Sequence, residues 1–192
     1  MTIESIITSL PDEVVNFSKL RNYYTDEMLF YEDVIFPKKT SEEFDSEVKQ
    51  RITDFFMSTV KPYYKSNGLH INMGMWNSMI EPIKNANFYG GSANKHLITF
   101  NAILTPSAIV TSYNDCGDFF KKEETKYTFE NKVNFKEQTD VNIRNSFDQK
   151  ITGYGLGKLL MYDLNNLIHV DTKQGTLYLG TSTDYKGFER IE

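Results

Sequence analysis

The chain has 192 residues, 40% of them hydrophobic and 14% aromatic, enough for one domain with a substantial core. Its single cysteine, Cys116, excludes an internal disulfide framework and a cysteine-rich zinc site, and no apolar run approaches the roughly 20 residues that span a bilayer. The net charge of −5 is unevenly placed: residues 1–54 hold twelve acids against six bases, and residues 55–192 hold fourteen against fifteen. That acidity argues against direct nucleic-acid binding, which shows a basic footprint.

Ile3, Ile6, Ile7 and Leu10 fall at helical spacing and predict a short opening helix. Ser9, Pro11 and Asp12 then form a helix start. Val14, Phe17, Leu20, Tyr24, Met28 and Tyr31 follow at steps of three or four, which extends that helix to residue 31. Phe36-Pro37-Lys38-Lys39 breaks it, and Thr40 with Glu43 makes a capping-box signal. A second helix follows with Phe44, Val48, Ile52, Phe55, Phe56, Val60 and Tyr63 inward, ending at Ser66-Asn67-Gly68. The two helices are expected to pack as an antiparallel pair.

Beyond residue 66 the character turns to β-branched and aromatic residues. Asn85 to Asn94 reads as a loop. Leu97 to Val110, broken at Pro106, reads as a strand and its return. Tyr127, Phe129, Val133 and Phe135 alternate with polar residues as a half-buried strand should. Leu159–Tyr162, Leu167–Val170 and Thr176–Leu179 are further strands, with residues 171–175 closing a hairpin between the last two. The expected fold is α+β, an N-terminal antiparallel helix pair on a mainly antiparallel sheet. It forms one domain over 1–192, helical over 1–65 and β-rich over 66–192.

No motif meets the demands of a named reaction. Gly153-Tyr154-Gly155-Leu156-Gly157-Lys158 lacks the first glycine and the hydroxyl of a phosphate loop, because Thr152 and Leu159 stand there; it reads as a tight turn. Glu130-Asn131-Lys132, with Asp118 upstream, resembles the acid and E-x-K elements of the PD-(D/E)xK nucleases. No proline precedes Asp118, however, and the same strand face holds Thr128, Asn134 and Lys136, as a solvated face does. Residues 95–180 loosely resemble the double-stranded β-helix half of 2-oxoglutarate/iron oxygenases. There, Leu97–Phe100 would open the core and His169 would be the distal histidine. The resemblance implies an upstream H-x-D near Asn87-Phe88-Tyr89 and an arginine about ten residues after His169, and neither is present. Of the three histidines, His70, His96 and His169, none sits at recognised metal-ligand spacing, and Cys116 is flanked by acids that disfavour a thiolate.

The sequence therefore points to a protein that binds another protein, with no catalytic residues, metal or cofactor expected. An inhibitor, an immunity protein or an anti-defence factor of a phage or mobile element would fit, meeting a basic partner through an acidic helical face. The acids concerned are Asp26, Glu27, Glu32, Asp33, Glu42, Glu43, Asp45 and Glu47. Met73, Met75 and Trp76 form a soft cluster suited to an adaptable contact. The alternatives are an assembly subunit of a symmetric oligomer, such as a virion component, and a metal-dependent enzyme of one of the two types above. The opening MTIESIITSL lacks the basic region of a secretory leader, so a cytoplasmic location is expected.

Overall fold

The computed structural model describes residues 29–36, 41–89, 97–115, 161, 163–165, 167–171 and 174–191. The chain is α+β, with two principal helices and a five-stranded antiparallel sheet. In order it forms β1 (Leu29–Ile35), α1 (Ser41–Phe55), a π-helical turn (Phe56–Val60), α2 (Lys61–Ser66), β2 (Leu69–Ile71) and α3 (Gly74–Tyr89). Then come β3 (Ile98–Thr105), β4 (Ala108–Asn114), β5 (Leu167–Asp171), β6 (Thr176–Ser182) and β7 (Phe188–Arg190). The main sheet runs β1-β3-β4-β6-β5, and β2 pairs with β7 in a separate two-stranded ribbon.

The α1–π–α2 run follows from the spacing of its apolar residues. Phe44, Val48, Ile52, Phe56, Val60 and Tyr64 recur at steps of four, and all are buried. An α-helix overshoots by about 40° at each four-residue step, so such a stripe would drift off the core. The slower-winding π turn at Phe56–Val60 restores the phase. The same correction makes Tyr64 the inward residue where Tyr63 was expected. Tyr64 is buried, and its hydroxyl donates to the Ala108 carbonyl at 2.7 Å. Gly68, at φ 71°, takes the left-handed position that ends α2.

One sheet face packs on the helices through Ile98, Phe100, Ala102 and Leu104 of β3, with Tyr113, Leu177 and Leu179 beside them. Tyr31 stacks on Phe55 at 4.2 Å between ring centroids, and Phe55 meets Phe100 edge-on at 5.6 Å. The opposite face is buried as well at Asn101, Ile103, Val110, Ser112 and Tyr178. Register places Glu32, Asn101, Ser112, Tyr178 and His169 in one row across all five strands.

Several expectations need correction. Residues 29–31, placed at the end of the first helix, lie in β1, paired residue for residue with β3, so Glu32 and Asp33 stand on a strand. The ladder with β3 overrides a helical spacing that was only local. The remainder of that helix, the opening helix, the 127–135 strand and the glycine-rich run fall outside the described residues. Asn85–Tyr89 are helical: α3 starts where Asn72 Oδ1 accepts the Gly74 N–H at 2.7 Å, and continues through Pro82. Met161 is helical too, where Leu159–Tyr162 was expected to be a strand. The β3–β4 return around Pro106 and the β5–β6 hairpin are as expected.

Candidate functional site

The helical pair that the structure describes is α1 with α3. Two side-chain contacts set its direction. The Trp76 indole N–H donates to Thr53 Oγ1 at 2.9 Å, and Lys84 Nζ lies 3.1 Å from Asp45 Oδ2. As α3 advances from 76 to 84 its partner on α1 falls from 53 to 45, so the helices are antiparallel. Each partner lies about 12 Å from the next along its helix, eight residues at ~1.5 Å each.

The acids expected to form one face are divided by this packing. Asp33 lies 2.8 Å from Arg51 Nη1, and Glu47 lies 3.0 Å from Arg51 Nε. The hydrogen bond to Asp33 holds the guanidinium above its ordinary pKa. Burial, followed by the Asp33 charge, pushes the Tyr31 phenol up as well. Asp45 pairs with Lys84. Asp33, Asp45 and Glu47 therefore meet bases of this chain. Glu32, on β1, and Glu42 and Glu43, in the first turn of α1, are exposed. Asp26 and Glu27 lie outside the described residues.

The methionine cluster is divided too. Met75 is 2% exposed, its sulfur 3.7 Å from the Thr181 hydroxyl, and belongs to the core. Trp76 is half-buried against Thr53. Met73 is 52% exposed. The seam adds a residue that the sequence did not single out: Met57, 51% exposed. It stands one turn beyond Thr53, while Met73 stands one turn before Trp76, so both fall at the same end of the α1–α3 seam. Exposed Asp54 and Ser58 neighbour Met57 along the chain, and exposed Asn72 and Asn77 neighbour Met73 and Trp76. Met57 escaped notice because a lone methionine between core positions reads as surface until its partner helix is known.

Glu42 and Glu43 begin α1 and Met57 follows its end. Fifteen helical residues separate the two groups by about 22 Å. The acidic and soft residues thus occupy opposite ends of the pair. A second apolar spot, Phe36 with Leu97, follows the last β1–β3 pair, Ile35 with Ile98.

Among the described residues, no group of three or more His, Cys, Asp or Glu is placed to hold a metal ion. His70 is exposed on β2, and Asp171 Oδ1 accepts the Gln174 N–H within the β5–β6 turn at 3.0 Å. Asp118, Glu130 and Lys132 lie outside the described residues. No described helix is long and apolar enough to cross a membrane. No protein family, curated protein or solved structure matches this chain.

Proposed function

We propose that the protein acts by binding another protein through the Met57–Met73–Trp76 end of the α1–α3 seam. The observation that carries this reading is the exposure of Met57 and Met73, about half of each, at the end of the seam next to the Thr53–Trp76 contact. Thioethers adapt to varied partners, and tryptophan is among the residues that dominate binding energy. Asp54, Ser58, Asn72 and Asn77 supply the polar rim that contact surfaces have around an apolar centre. Two methionines alone cover far less than the roughly 800 Å² per side of a stable complex, so the contact includes that rim.

The acidic end has a different role in this reading. Glu32, Glu42 and Glu43, with the net −6 of residues 1–54, attract a basic partner over distance and speed encounter without forming the contact's centre. An inhibitor, immunity or anti-defence protein working in a cytoplasm is the form that best suits such a surface.

Affinity capture from the native source tests this, comparing wild type with M57D/M73D and with E42K/E43K. One protein should be retained in stoichiometric amount by wild type and lost by M57D/M73D. E42K/E43K should keep the partner but bind it more slowly at low salt. Equal capture by M57D/M73D would refute the assignment.

A further inference from the structure

We infer that Met57 and Met73 are a paired oxidation site, through which a hydroperoxide converts this contact surface from apolar to polar. The inference rests on the binding reading above for its consequence, but its chemistry stands on burial alone. The described methionines fall into two sharply separated classes. Met57 and Met73 are half exposed, whereas Met75, Met79 and Met161 are at most 2% exposed. A thioether reacts only where the oxidant can reach the sulfur, so the exposed pair reacts in the folded state. The buried three must wait for local opening.

The reaction is a two-electron transfer. The methionine sulfur lone pair attacks one peroxide oxygen, the S–O bond forms as the O–O bond breaks, and the departing hydroxide takes up the remaining proton as water. The sulfur is oxidised to the sulfoxide and the peroxide is reduced. The product is a polar, chiral group in place of a soft apolar one, a change that disrupts methionine-rich contacts. Both sulfoxides would arise at the same end of the seam, one turn past the Thr53–Trp76 contact, so one oxidant would alter the surface at two points. Adding one oxygen to each exposed sulfur breaks neither the Thr53–Trp76 bond nor any packing of the buried methionines, so the surface changes while the fold stays.

Trp76 is the chain's only tryptophan, and its emission reports directly on this end of the molecule. The test treats the folded, full-length protein with hydrogen peroxide and follows two signals with no partner present. Peptide mass mapping should show Met57 and Met73 gaining one oxygen at least about tenfold faster than Met75, Met79 and Met161, with the difference abolished in urea. Trp76 emission should shift in step with that gain in wild type and stay fixed in M57L/M73L, while far-ultraviolet circular dichroism is unchanged in both. Oxidation of Met75 or Met79 at the rate of Met57 would overturn the inference. So would a Trp76 shift of equal size in M57L/M73L. Because no partner enters the assay, its failure is separate from failure of the capture experiment.

Discussion

Asp33 and Arg51 meet at 2.8 Å and join the edge strand β1 to helix α1. The same carboxylate oxygen, Oδ1, also accepts the Val34 backbone N–H at 2.9 Å. Exposed edge N–H groups invite pairing with other chains, and a charged side chain on the edge is one of the ways proteins prevent it. Asp33 thus has two structural tasks, which explains why an acid first read as part of a contact face is turned inward.

This pair should be energetically coupled. D33A and R51A are each expected to lower stability by about 1 kcal/mol, with a coupling of ~0.5–1 kcal/mol in the double variant. Arg51 is partly exposed, which holds the values down. Urea denaturation of the four proteins measures the cycle; strictly additive losses would show that the pair contributes nothing jointly.

What the sequence revealed and what it hid follow the same division between local and long-range information. The stripe Phe44, Val48, Ile52, Phe56, Val60 is visible in the sequence because one helix face alone determines it. The β3–β4 return is announced by Pro106, and the β5–β6 hairpin by the polar stretch ending at Gly175, which adopts φ 66°. β1 was hidden because Phe30 and Tyr31 are adjacent apolar residues on opposite faces of an edge strand, which spoils the alternation. α3 was hidden by Pro82 and by the asparagines of its last turns, although its Asn72 cap was in plain view. The surface around Met57 could not be read at all, since it exists only where α1 and α3, separated by the π turn, α2 and β2, come together.

Asn101 is a second testable position. It is buried in the interior strand β3, its Oδ1 has no hydrogen-bond partner among the described residues, and its Nδ2 reaches Ser112 Oγ only at 3.4 Å. A buried acceptor without a donor costs ~1–3 kcal/mol, whereas an apolar residue of similar size suffers no such loss. N101V should therefore leave stability unchanged or raise it by up to about 1 kcal/mol in thermal or urea unfolding. A clear loss would mean that an ordered water satisfies the oxygen.

Gly187 sits where the C-terminal segment crosses the start of α3. A Cβ there would lie 3.1 Å from both Met75 Sδ and Thr181 Cγ2. Thr181 is held in place by donating to Leu164 O at 2.8 Å, so it has little freedom to yield. G187A is expected to cost about 1–2 kcal/mol by overpacking. Adding T181S, which removes that methyl, should recover part of the loss in the same denaturation assay.

The buried tyrosines predict an alkaline limit to stability. Burial pushes the phenols of Tyr64 and Tyr113 well above their ordinary value; the Thr105 backbone hydrogen bond at Tyr64 and the Thr111 bond at Tyr113 oppose this only in part. Because the folded pKa is raised, the unfolded chain releases these protons first. Their contribution is therefore complete below about pH 10 and falls as pH rises beyond it, by up to ~1.4 kcal/mol per pH unit for each tyrosine. Urea unfolding from pH 8 to 11 should be flat and then steepen downward, and Y64F or Y113F should each make the decline shallower.

The most direct measurement for the binding surface uses Trp76 as its own witness. With the captured partner added to saturation, acrylamide quenching of Trp76 fluorescence should fall several-fold, because a half-buried indole at the centre of a contact loses its remaining access to solvent. Quenching that is the same with and without bound partner would place the contact elsewhere on the molecule and contradict the account.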